Sequence, residues 1–106
     1  MPIPLSRRCE KVAARLFDEP RCTHVKNRLL AEASENIPFH ENSDSAGMDR
    51  IRFAIMKLLS RPGTAEDPIF ELAKRDWRDL FVAAGFGYSA DEHNKWYREL
   101  FVDAPE

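Results

Sequence analysis

Two cysteines and three histidines, with a scatter of closely spaced carboxylates, are the side chains of this sequence reactive enough for catalysis or metal binding. Cys9 and Cys22 flank an Asp18-Glu19-Pro20 break, each on an apolar stripe. On an antiparallel helix pair, Cys9 lies roughly two and a half turns before the break and Cys22 about one turn after it. Their heights then differ by about 8–10 Å. A disulfide does not span that offset, so both are expected to be reduced core thiols. Among His24, His40 and His93, no two stand at i, i+3 or i, i+4, and no Cys-x-x-Cys accompanies them. No metal site is expected. His93, one turn before Trp96 and Tyr97, reads as a partly buried, hydrogen-bonded histidine. His40, beside Glu41 in a polar loop, is the freest of the three. Whether either lines a cleft, the sequence leaves open.

Asp76 and Asp79 alternate with Arg75 and Arg78. That pattern describes a solvated, ion-paired helix face rather than two carboxylates with divergent pKa values around a cleft. There is no Gly-x-Ser-x-Gly turn, and the four glycines form no phosphate-cradling loop. The expectation is a protein that is not an enzyme and needs no cofactor.

Two constellations remain as candidate binding surfaces. Trp77, Phe81, Phe86, Tyr88, Trp96, Tyr97 and Phe101 crowd the last part of the chain. Most belong in a core, but aromatic and Arg side chains at a surface are common anchors of protein interfaces. Arg78, Tyr88, Trp96 and Arg98 are the expected members of such a patch, and a protein partner or self-association is the favoured function. The alternative is a nucleic-acid-binding or regulatory domain using Arg7, Arg8, Lys11 and Arg15, a row of cations on the first helix. Glu10, Asp18 and Glu19 interrupt or flank that row. The second helix also lacks the exposed Arg/Asn/Gln row of a recognition helix.

Charge balance points the same way. A net charge of −2 and a pI near 5.9 exclude a surface built throughout for nucleic acid. Seven Lys/Arg and five Asp/Glu fall in residues 1–36, against nine and thirteen in 37–106, a modest asymmetry. The first residues lack the apolar segment of a signal peptide, and no run is long enough to cross a membrane. A cytoplasmic protein is expected.

The elements that must position these residues are helical. Five segments carry apolar residues at 3.6-residue spacing, and none shows period-two alternation. They run from about Leu5 to Phe17, Pro20 to Glu35, Met48 to Ser60, Pro68 to Ala84, and Ala90 to Val102. Ser6, the Asp67-Pro68 pair and a Ser89–Glu92 capping box mark three starts, and Gly85 marks one end. The third segment is apolar around most of its circumference, with a narrow polar strip of Asp49, Arg50, Lys57 and Arg61, and so should be central. At 106 residues the chain can bury a core without disulfides or metal. The expected architecture is all-α: a compact five-helix orthogonal or irregular bundle in a single domain. Residues 1–36 form a helical hairpin, 37–47 a loop with Ile37 and Phe39 against the core, and 48–106 a three-helix part around a central helix near 48–60.

Overall fold

The computed structural model describes residues 4–33, 45–86 and 90–101, the side chains of 45–47 and 90 excepted. Six α-helices and no strands occur among them: α1 (Arg7–Leu16), α2 (Arg21–Glu32), α3 (Ser45–Leu59), α4 (Glu66–Arg75), α5 (Trp77–Ala84) and α6 (Ala90–Leu100). The Cα radius of gyration is 12.7 Å, as expected of a compact chain of this length.

α1 begins where the sequence places it. The Ser6 hydroxyl accepts from the Cys9 backbone N–H at 3.1 Å, and Cys9, Val12 and Ala13 are its buried stripe. α2 buries Cys22, Val25 and Leu29 against it. α3 is the central element and packs on α1, α4, α5 and α6. Met48, Ile51, Phe53, Ala54, Ile55, Met56, Leu58 and Leu59 are all buried, which accounts for its nearly unbroken apolar surface. Side chains such as Leu59 and Ile55 each contribute about 1.5–3 kcal/mol on removal from water.

Three boundaries differ from expectation. α3 starts at Ser45 rather than Met48, so Ser45–Gly47 are helical instead of loop. Ile37, Phe39 and His40 lie outside the described residues. The single helix expected over 68–84 is two. At Asp76 the backbone turns extended (φ −155°, ψ 99°), closing α4 and starting α5, whose Arg78 N–H donates to the Asp76 side chain at 3.0 Å. The apolar period of Ile69, Ala73, Trp77, Leu80 and Ala84 runs straight through the break, which hid it. Finally, α4 starts at Glu66, placing Pro68 in its third position. The first four N–H groups of a helix have no partner within it, so a proline is tolerated there as well. Gly85 closes α5 at φ +81°, the left-handed conformation only glycine adopts cheaply. The capping residue expected for α6, Ser89, lies outside the described residues.

Candidate functional site

Many of the chain's cations, several of them exposed, are engaged by other parts of the fold. Four arginines each donate to a carbonyl at the C-terminal end of a different helix. Arg52 Nε reaches Ala33 O at the end of α2 (3.0 Å), and an Arg21 NH reaches Leu59 O of α3 (2.9 Å). An Arg61 NH reaches Ala83 O of α5 (3.2 Å), and Arg15 Nε reaches Leu100 O of α6 (3.0 Å). The last carbonyls of a helix lack intrahelical donors and carry the negative end of its dipole. An arginine from a neighbouring helix supplies both donor and charge. Other cations cover aromatic faces: Arg21 over Phe17, Arg28 over Phe70, Arg50 over Phe81 and Lys57 over Phe86, all within 5.2 Å of the ring centroids.

The basic row of α1 follows this pattern. Arg8 lies 4.3 Å from the Tyr97 centroid and donates to Asn94 Oδ1 at 3.0 Å, both on α6. Lys11 Nζ is 5.1 Å from the Phe101 ring, and Arg15 holds the α6 terminus. Three of the four cations therefore face α6, although Lys11 and Arg15 are exposed, as is Arg7. The spacing that suggests a phosphate-binding stripe matches Asn94 and Tyr97 on the opposing helix and Phe101 just past its end.

A buried polar cluster ties α1 to α3. Asp49, 9% exposed, accepts from the Ser6 hydroxyl (2.8 Å) and the Cys9 thiol (3.2 Å). Burial, with the Asp49 carboxylate beside it, pushes the Cys9 thiol up to about 12. Cys9 is thus held as a thiol, and Cys22 is likewise free and buried. One turn along α3, the fully buried Arg52 bonds both Ala33 O and Pro4 O (2.9 Å). One guanidinium reaching both carbonyls places the start of α1 beside the end of α2, as an antiparallel hairpin requires. The polar strip read on α3 is therefore no solvent-facing strip at Asp49, and Arg52, within the apolar run, is the residue that reading missed.

α2 and α4 are joined by an ionic face. Arg28 pairs with Glu32 one turn along α2 and with Glu66 and Asp67 of α4. Lys74 reaches Glu32 (3.1 Å), and His24 Nε2 reaches Glu66 (2.9 Å). Hydrogen bonds from Arg28 hold Glu32 below the ordinary carboxylate range, and those from His24 and Arg28 do the same for Glu66. Among the described residues, no group of three His, Cys, Asp or Glu side chains is arranged to hold a metal. His93 is buried between Phe81 (4.7 Å) and Phe86 (4.2 Å), so its environment is aromatic.

The aromatic candidates separate. Arg78 is exposed on α5, 5.7 Å from the Trp77 ring. Arg98 is exposed on α6, two residues from Trp96 and so about 200° around the helix. Tyr88 lies outside the described residues. Trp96 is half-buried, its ring edge-on to Phe53 (5.7 Å) and Phe86 (5.5 Å). It lines a cleft of about 100 Å³ with Lys57, Gly85, Phe86, Glu92, Lys95 and Glu99. Within it, Lys57 Nζ sits 4.6 Å from the Phe86 centroid. Burial lowers the Lys57 pKa from its ordinary value, as does nearby Arg61, and the charges of Glu99 and Glu92 oppose the shift. Sequence reading missed Lys57, Glu92, Lys95 and Glu99. The available signal was the spacing of Glu92, Trp96 and Glu99, which share one face of α6.

Among the described residues, Val82 is the one large apolar side chain exposed, at 57%, and a second, wider depression of about 360 Å³ is lined by Pro4, Leu5, Glu10, Lys26, Asn27 and Leu30. No helix among them is long and apolar enough to cross a membrane. Compared with known proteins, the chain matches no family model, no curated protein and no solved structure.

Proposed function

We propose that this protein is a non-catalytic cytoplasmic binding module that recognises a protein partner, or a second copy of itself, through the cleft between α3 and α6. The observation that carries the reading is Trp96. Its ring is braced by Phe53 and Phe86, yet it stays half-exposed in a cleft rimmed by charges of both signs. A rigid, partly accessible tryptophan with a polar rim is the usual anchor of an interface hot spot. The nucleic-acid alternative would draw on Arg8, Lys11 and Arg15, which are engaged with α6.

The test is affinity capture from the native host at near-physiological salt with three baits: wild type, Trp96→Ala and Arg7→Glu, each confirmed helical by circular dichroism. A defined protein should be retained by wild type and Arg7→Glu and lost with Trp96→Ala. A concentration-dependent mass abolished by Trp96→Ala supports the same face acting on a second copy. Retention unchanged in Trp96→Ala, or nucleic acid captured in an Arg7-dependent way, overturns the reading.

A further inference from the structure

Several buried or half-buried cations of this fold are matched to oxygen partners. Arg8 has Asn94, Arg28 has Glu32, Glu66 and Asp67, Arg52 has two carbonyls, and Lys74 has Glu32. Lys57 differs. Its ammonium lies against the Phe86 ring inside the cleft, and among the described residues no hydrogen bond or ion pair is made by Nζ. Glu92 and Glu99 act on it through their fields without forming an ion pair. A partly desolvated ammonium is costly unless its donors are matched, and a cleft lined by that group is an incomplete binding site.

We infer that the cleft takes a single carboxylate from a partner polypeptide, with Lys57 Nζ as its ion-pair partner and Trp96 and Phe86 holding the apolar stem that carries it. This rests on the binding-module reading and names the chemistry of the same site. Three features define the ligand. The cleft volume of about 100 Å³ admits a side-chain-sized group and not a nucleotide. Gly85 leaves that side of Nζ uncovered, since a Cβ there would stand in van der Waals contact with the ammonium at 3.6 Å. Glu92 and Glu99 flank the cleft with Lys95 between them, so a polyanion or phosphate dianion meets repulsion that one carboxylate, neutralised by Lys57, largely escapes. A cationic ligand would meet Lys57 itself.

The carboxylate has two possible sources, an internal Asp/Glu side chain or a chain terminus, and the experiment separates them. In a Trp77→Phe background, where fluorescence reports Trp96, the protein is titrated with three hexapeptides of otherwise apolar sequence. One has a central Glu and both ends capped, one a free C-terminal carboxylate, and one a central Lys with both ends capped. Saturable change with either acidic peptide is expected, and which one binds identifies the source. Lys57→Met should weaken that binding at least about tenfold, a loss of about 1.4 kcal/mol. The double variant Glu92→Gln/Glu99→Gln, which leaves the ammonium in place, should strengthen it and newly admit inorganic phosphate. No response to either acidic peptide, equal binding by Lys57→Met, or preference for the Lys peptide overturns the inference. If those results accompany Trp96-dependent capture of a partner, the carboxylate assignment alone falls. If Trp96→Ala also leaves capture unchanged, the binding-module reading falls with it.

Discussion

Replacing Arg52 with methionine keeps the length and apolar stem of the side chain while removing its charge and donors. In the native protein the fully buried guanidinium holds Pro4 O and Ala33 O, which bracket the α1–α2 hairpin, and lies within the field of Asp49. Hydrogen bonds from a charged donor each contribute about 1.5–3 kcal/mol net. Relief of the desolvation that lowers the Arg52 pKa works in the opposite direction. Truncating one member of a buried charged cluster nonetheless costs about 3–5 kcal/mol, because the partners remain buried and unmatched. Against a total stability of about 5–15 kcal/mol, that is a large fraction. Urea unfolding at pH 7 should show the midpoint falling by at least about 1 M with the slope unchanged. Amide exchange should accelerate most in α1 and α2, the elements the guanidinium clamps. Arg52→Lys, which keeps charge but loses the fork, should lie between the two. A midpoint for Arg52→Met within about 0.3 M of wild type, or exchange protection lost evenly over all helices, would refute the clamp.

Three further outcomes follow from the same geometry. Cys9 has an ordinary thiol value of 9.0, raised on folding to about 12, so the folded state holds its proton more tightly; its contribution is complete below pH 9 and is lost as pH rises from 9 towards 12. Cys9→Ala should flatten that alkaline limb of the stability–pH curve, and native Cys9 should resist iodoacetamide at pH 8 until the protein unfolds; labelling at the rate of a free thiol contradicts this. Glu32 and Glu66 are shifted in the opposite sense, below an ordinary value of 4.5, so their contribution is present above pH 4.5 and is lost as pH falls further. Arg28→Met should make the acid limb of urea midpoints between pH 7 and 3 shallower, and an unchanged limb would count against the α2–α4 face. Asp76→Ala removes the cap of α5 and should lower stability by about 0.5–2 kcal/mol, seen as a drop in Tm; no drop would mean that the hydrogen bond to Arg78 N–H contributes nothing.

The all-helical class was legible because the apolar stripes of α1, α2, α3 and α6 repeat at helical spacing, and α3 could be placed at the centre because so few of its positions were polar. The break at Asp76 was not, since one extended residue interrupts the helix without disturbing the period on either side. Its one local sign, Asp76 followed three residues later by Asp79, also fits an alternating-charge face. Arg52 was hidden for a different reason. Its partners are backbone carbonyls of Pro4 and Ala33, which carry no side-chain signature. The same holds for Arg15, Arg21 and Arg61, whose helix-end acceptors exist only once the helices are assembled. For the candidate site, Trp96 was named from sequence because half-buried aromatics near a surface are informative. Lys57 was passed over because its importance lies in what it does not pair with, and that depends on the positions of Gly85, Phe86, Glu92 and Glu99.

The central claim is that the α3–α6 cleft, and not the cationic row of α1, is the surface presented to a partner. Site-specific photo-crosslinking in the native host tests it most directly. A photoreactive residue is placed either at Lys95, on the rim of the cleft, or at Arg7, an exposed member of the α1 row. The expected result is one defined adduct from position 95, competed by the capped acidic peptide, and none from position 7. An adduct from position 7 alone, or none from position 95, would contradict the account.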